Sequence, residues 1–150
     1  MTSFRPGWDA LPPKIRDFYA TYLLNTLTTL RPDGRPHVVP VGVTLDPEWE
    51  CAWIITRAGS RKVRNVEAGA ATPEGARVAV CQVDGPRWST IEGTARVVTD
   101  PDSVARAVEC YAARYRQPSE NPERVAIRIE VDRILHGPML AEDTAGAREG

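Results

Sequence analysis

Long apolar runs are absent from this chain of 150 residues. No segment approaches the roughly 20 consecutive apolar residues that a membrane-spanning helix needs. Residues 1–8 lack the charged-then-apolar order of a secretory signal, so the expectation is a cytoplasmic protein without a membrane partner. Histidine and cysteine are scarce: His37 and His136, and the widely spaced Cys51, Cys81 and Cys110, with no Cys-x-x-Cys pair. That inventory leaves no set of zinc ligands, and no metal is expected. The three thiols read as reduced, buried residues. Neither histidine has an identifiable partner, and no triad, paired carboxylate or activated nucleophile can be read. An excess of one charge sign is missing too. The 19 basic and 20 acidic side chains leave a net charge of −1, so no global field points to nucleic acid or to an anionic surface. Any anion site must then be local. Lysine is nearly absent, with Lys14 and Lys62 as its two examples, so a lysine at a structured position is not generic decoration.

Residues 52–56 read as a buried strand, followed by a glycine turn and a helix over about 61–67 with Ser60 as its N-cap. The first turn carries Arg61, Lys62 and Arg64. A helix N-terminus already bears partial positive charge, so cations there do nothing for the helix. Free N–H groups, a serine hydroxyl and several cations together fit an anion, most often a phosphate. The alternative is a solvated basic helix face, and these residues alone do not separate the two.

The length suits one domain with a substantial core, over residues 1–140, with the small and polar residues 141–150 as a flexible tail. A helix over 11–22 opens on Pro12 and Pro13, with Ile15, Phe18, Tyr19 and Tyr22 on one face. Strands follow at 23–30 and 38–45, joined at Pro32, Asp33 and Gly34, where proline presets one dihedral and glycine supplies the positive one. Pro40 donates no ladder hydrogen bond and so marks an edge, a bulge or a ligand-facing backbone. Further strands are expected at 50–56, at 76–83 (apolar on both faces and so central) and at 87–99, bent at Gly93. Asp100 caps a helix with Pro101 at its first position and Val104, Val108, Tyr111 and Tyr115 on its buried face. The last strand alternates Val125, Ile127, Ile129 and Val131 with Ala126, Arg128, Glu130 and Asp132. Six strands in hairpin order with a few helices give a mostly β fold, an antiparallel sheet closing into a small barrel.

Taken in order, the stretch from Thr28 to His37, the run Gly59-Ser60-Arg61-Lys62-Val63-Arg64-Asn65 and Glu92-Gly93 in a long strand resemble the split β-barrel flavin and deazaflavin oxidoreductases. This is the pyridoxamine-phosphate-oxidase-like superfamily. Residues 82–88 and 111–122 are similar to an actinobacterial subgroup that uses the 8-hydroxy-5-deazaflavin coenzyme F420 and includes biliverdin reductases. The resemblance implies a homodimer of six-stranded antiparallel split barrels, of the FMN-binding type, with two coenzyme sites at the interface. It implies that Ser60, Arg61 and Lys62 hold the coenzyme phosphate, that Val39, Pro40 and Val41 run along the ring through their backbone, and that Ile55 and Thr56 flank the ribityl chain. Gln82 would contact the ring edge or the tail, and Arg87 and Trp88 would close the site, from the partner chain or their own. Arg57 would meet the acidic tail, and Arg64 solvent.

A deazaflavin carries two electrons, and the protein around it supplies position and electrostatics. That accounts for a sequence without a nucleophile. The expected reaction is hydride transfer to a conjugated acceptor, with biliverdin reduced at its central methine bridge and its propionates paired with Arg87, Arg114 and Arg116. Holding the reacting carbons within roughly 3–3.5 Å would supply much of the rate. Two alternatives stay open: an FMN-dependent enzyme on the same barrel, and a non-catalytic carrier of coenzyme or tetrapyrrole, because a shared fold does not settle the chemistry.

Overall fold

The structure, a computed structural model, describes residues 1–143. The chain forms β1 (Thr2–Phe4), α1 (Pro13–Phe18), β2 (Asn25–Leu30), β3 (Pro36–Val41), β4 (Val43–Asp46), β5 (Cys51–Arg57), α2 (Arg61–Ala70), β6 (Ala76–Asp84), β7 (Arg87–Val98), α3 (Pro101–Arg114), β8 (Arg124–His136) and a 3-10 turn at Pro138–Leu140. The strands make one antiparallel sheet in the order β3-β2-β6-β7-β8-β5-β4, with β1 added at the end of β8. Eight strands stand where the sequence led to six. One of the extra two is β1, too short to show an alternation. The other arises because Gly42 divides the strand expected over 38–45.

That division closes the barrel. β3 lies at one edge of the sheet and β4 at the other, yet a single residue separates them along the chain. The sheet therefore curls until its two edges meet at Gly42. A Cβ at Gly42 would lie 2.7 Å from Tyr115 Cε2 and 3.2 Å from Tyr111 Cε2, so glycine serves here for close approach. Away from this junction the wall is open. β4 pairs with β5 only from Cys51 to Ile54, so Ile55, Thr56 and Arg57 run on with a free edge. The outer edge of β3 is free as well, which is where Pro40 does no harm to a ladder. The result is a barrel split between β3 and the end of β5.

Inside the curl, Leu27, Ile54, Val80, Ile91, Ile127, Ile129 and Ile134 meet Ile15 and Phe18 of α1, all essentially without exposure. Burial of each such side chain stabilises the fold by about 1.5–3 kcal/mol. The longest ladder, β7 with β8, sets Glu92 opposite Arg133 and Gly93 opposite Val131, which leaves Asp132 as the extra residue of a bulge. One inserted residue in a strand of period two exchanges its faces. Ile127 and Ile129 are buried before the bulge, and Ile134 and His136 after it. The bend read at Gly93 is this bulge, and a Cβ at Gly93 would collide with the Glu130 carbonyl.

Several local expectations change. α1 ends at Phe18, and Tyr22 is exposed rather than on a buried face. α2 runs to Ala70, past the end expected at about residue 67. β6 is central but alternates buried and exposed residues. In α3 the Asp100 carboxylate accepts from the Ser103 N–H at 3.0 Å, as a cap should. Its fully buried residues are Ala107 and Arg114, with Val104, Val108, Tyr111 and Tyr115 only half-buried. Cys51 is buried, whereas Cys81 and Cys110 are half-buried. Residues 144–150 of the expected tail lie outside the described residues. Ala141 and Glu142 are tied down: the Lys14 ammonium donates to the Ala141 carbonyl at 3.0 Å and the Lys14 backbone N–H to Glu142 Oε1 at 2.6 Å. Among the described residues, no helix is long and apolar enough to cross a membrane, and no group of three or more His, Cys, Asp or Glu could hold a metal ion.

Candidate functional site

α2 begins three residues after β5 ends, so its first turn stands beside the split. Ser60 has the extended backbone of an N-cap, yet its hydroxyl makes no capping bond and is buried without any hydrogen-bond partner. The first turn holds no acidic residue, and its N–H groups are the ones a helix leaves unpaired. Arg57, Arg61 and Lys62 form no ion pair among the described residues. Burial lowers the pKa of Lys62, and the neighbouring Arg57 lowers it further. Unpaired N–H groups, an orphaned hydroxyl and crowded cations all favour an anion, and a phosphate satisfies each of them.

A residue that sequence reasoning set aside joins this group. His37 on β3 is the cross-strand partner of Thr29 on β2, so their side chains share a face. Asn65 of α2 donates to Thr29 Oγ1 at 3.0 Å. Arg61 lies one turn before Asn65 on the same helix face, which brings the start of α2 over His37. The Nδ1 atom of His37 is buried and has no partner. Burial lowers the pKa of His37, and Arg31, Arg61 and Lys62 lower it further. The alternation of β2 and β3 about their turn was the signal that could have placed it.

Along β3, Val39 is half-buried and points inward, Val41 belongs to the core and Pro40 faces outward. Only their backbone edge is common to the split. Ile55, Thr56 and Arg57 line a cleft of about 270 Å³ with Gly42, Tyr111 and Pro118. A neighbouring cleft of about 370 Å³ shares Tyr111 and Pro118 and holds Arg116 at its rim. A larger cavity, about 510 Å³, opens between the β2–β3 turn and the later turns of α2. Arg31 borders it, whereas Arg61 and Lys62 border neither it nor the two smaller clefts.

Two residues expected to touch a ligand are engaged inside the fold. Gln82 is fully enclosed. Its amide donates to the Phe18 carbonyl at 2.7 Å and its Oε1 accepts from Asn25 Nδ2 at 2.7 Å and from Arg114. Arg114 is buried too, with its guanidinium spent on Gln82, Asn25 Oδ1 and the carbonyls of Thr21, Leu23 and Val43. Gln82 has no exposed face, and Arg114 keeps only a small one, toward a cavity lined by Leu11, Tyr19 and Leu45. Together they clamp the backbone on the far side of Gly42, since Asn25 Oδ1 also accepts from the Val43 N–H at 3.0 Å. Arg87 is paired with Asp84 and lies over the Phe18 ring at 5.3 Å, and Trp88 packs against Gly137. Both sit at the start of β7, about 33 Å along that strand from the end that pairs near β5. Within one chain they do not join the cation group. His136 is buried, with Nδ1 2.8 Å from the Gly137 carbonyl.

The sequence pattern of the family described as Pyridoxamine 5'-phosphate oxidase matches residues 11–136. The chain belongs to this family. It is 46% identical over 113 residues, 75% of this chain and 77% of the relative, to an F420H(2)-dependent biliverdin reductase of Mycobacterium tuberculosis. A solved F420 reductase is 25% identical, with a TM-score of 0.61 over 80% of this chain and 94% of that one. A conserved hypothetical protein of Mycobacterium tuberculosis has the same fold at a TM-score of 0.68, with 24% identity over 91% of this chain and 94% of that one. As a member of the pyridoxamine 5'-phosphate oxidase family, the chain has the split barrel expected of it, and the orphaned Ser60 hydroxyl and unpaired cations fit a phosphorylated coenzyme.

Proposed function

We propose that this protein is an F420-dependent reductase that passes a hydride to a conjugated acceptor, with biliverdin as the acceptor of choice, and that it works as a homodimer. The observation that carries the reading is the group of Arg57, Arg61 and Lys62, without an ion pair among the described residues, near the orphaned Ser60 hydroxyl and an open strand edge. The 46% identity to an F420H(2)-dependent biliverdin reductase supports the choice of coenzyme and acceptor. When bound, reduced F420 supplies the hydride.

The chain's own residues do the rest. Ser60, Arg61 and Lys62 hold the phosphate by charge-assisted bonds. The free backbone edges of β3 and of Ile55 to Arg57 offer donors and acceptors to a planar ring. Tyr111 and Pro118 form an apolar wall at the mouth of the clefts, and Gly42 lets that wall approach. Arg116, exposed at the rim, and Arg57 are the cations placed for acceptor carboxylates. The proton that completes the reduction is assigned to water. The dimer would form through the outer face of β3, β2 and β6, where Leu30, Val38 and Val83 are exposed. Trp88 shares that outer face through its pairing with Val83, so a partner there gives it a route to a site, whereas Arg87 lies on the inner side over Phe18. A cytoplasmic location accords with three free thiols.

Anaerobic mixing with reduced F420 and biliverdin tests the reaction. The expected result is loss of the long-wavelength biliverdin band in step with return of the oxidised deazaflavin band. Coenzyme binding without oxidation, across other conjugated acceptors as well, would make the protein a carrier.

A further inference from the structure

Between the first turn of α2 and β3 lies an imidazole that the fold does not use. His37 Nδ1 and, at the N-cap of α2, Ser60 Oγ are each buried without a partner. The Asn65–Thr29 bond fixes the helix over the strand pair that carries His37. The charged groups that act on His37 are all cations: Arg31 from the turn before β3, and Arg61 and Lys62 from α2. Asp33 in the same turn is held by Arg35 at 2.7 Å. β2 contributes the neutral Thr29, and Arg57 at the end of β5 adds positive charge beside Lys62. These surroundings favour a neutral ring as long as no anion is present. A phosphate seated among Ser60, Arg61 and Lys62 reverses the field at His37.

We infer that His37 is a further ligand of the bound phosphate and takes up one proton from solvent as a phosphate ester binds, donating from Nδ1 to a phosphate oxygen. The inference rests on the coenzyme reading of the split. The phosphate of F420 is a diester and keeps one charge around neutral pH, while the 8-hydroxyl of its ring titrates in that range, so the proton that belongs to the protein is the difference in uptake between the wild type and a variant without the imidazole. The sign follows. The imidazole is more basic in the complex than in the free protein, so binding tightens as pH falls between those two values and levels off below the lower one.

Calorimetric titration of the protein with oxidised F420 near pH 6.5, the ordinary histidine value, in two buffers of different ionisation enthalpy, counts the protons. The expected result is a larger proton uptake by the wild type than by His37→Gln, with the variant binding about tenfold more weakly. Ring signals in NMR give an independent reading, because the chain has two histidines and His136 is the enclosed one. The His37 signal should titrate at least about one pH unit higher with F420 bound. F420 binding with the same proton count in the wild type and His37→Gln overturns the inference and leaves the coenzyme reading standing. Failure of F420 to bind at all removes that reading and the inference together.

Discussion

Lys62 is one of two lysines in the chain, half-buried and crowded by Arg57. A cation kept there at some cost to its charged form points to an anion that repays it. Lys62→Ala should lose about 1.5–3 kcal/mol of coenzyme affinity, roughly 10- to 150-fold, with the melting temperature nearly unchanged; fluorescence titration checks this, and equal affinity would remove Lys62 from the site. Asp46 is a structural counterpart. It accepts from Arg106 at 2.7 and 2.8 Å, from Trp53 Nε1 at 2.8 Å and from the Trp49 N–H at 3.2 Å. Burial would raise its pKa, but these bonds outweigh burial and hold it at about 2, against 3.8 for the free acid. Its stabilisation is complete above pH 4 and is lost as pH falls toward 2, about 2 kcal/mol in all. Asp46→Asn should therefore be less stable at pH 7 and lose less on acidification. Urea unfolding at pH 7, 4 and 2 measures both, and an unchanged acid profile would contradict the assignment. The Ser60–Lys62 group was legible because misplaced cations at a helix start are a local pattern. Gln82 and Arg114 were not, because polar side chains give no local sign of being enclosed.

Gly93 and Gly42 each serve an element rather than a turn. At Gly93 the β7–β8 ladder passes its bulge, and a side chain would run into the Glu130 carbonyl and Ile129 Cγ2. Gly93→Ala should cost about 3 kcal/mol or more, since backbone on both strands must move; a fall of less than about 1 kcal/mol in chemical denaturation would show that the bulge relaxes freely. The bend at Gly93 could be read from one glycine in a long strand. The division at Gly42 could not, because its cause is the packing of Tyr111 and Tyr115 from far along the chain. The cap at Asp100 and the edge position of Pro40 were readable for the opposite reason: each follows from the residue's own hydrogen-bonding capacity. The length of α1 was misjudged because Tyr22 continues the helical spacing of Ile15 and Phe18 after the helix has ended.

Across the whole molecule, two strand edges meet at one residue, the seam beyond that residue stays open, and a helix start whose cations form no ion pair among the described residues stands beside the opening. The outer sheet face carries Val38 at 57% and Val83 at 62% exposure, apolar side chains in a region with room for a second copy. Light scattering should give twice the chain mass of 16.5 kDa, and Val38→Asp should shift the protein toward the single-chain mass; a wild-type monomer would contradict the proposed dimer. Strand order was only partly legible: hairpins β2–β3 and β6–β7 join neighbours in sequence, whereas the β5–β8 and β2–β6 pairings are long-range. The account stands on what occupies the split, and the most direct measurement is a fluorescence titration of the purified protein with oxidised F420 and, separately, with FMN. Tight F420 binding with much weaker FMN binding is the predicted result. Preference for FMN, or binding of neither, would contradict it.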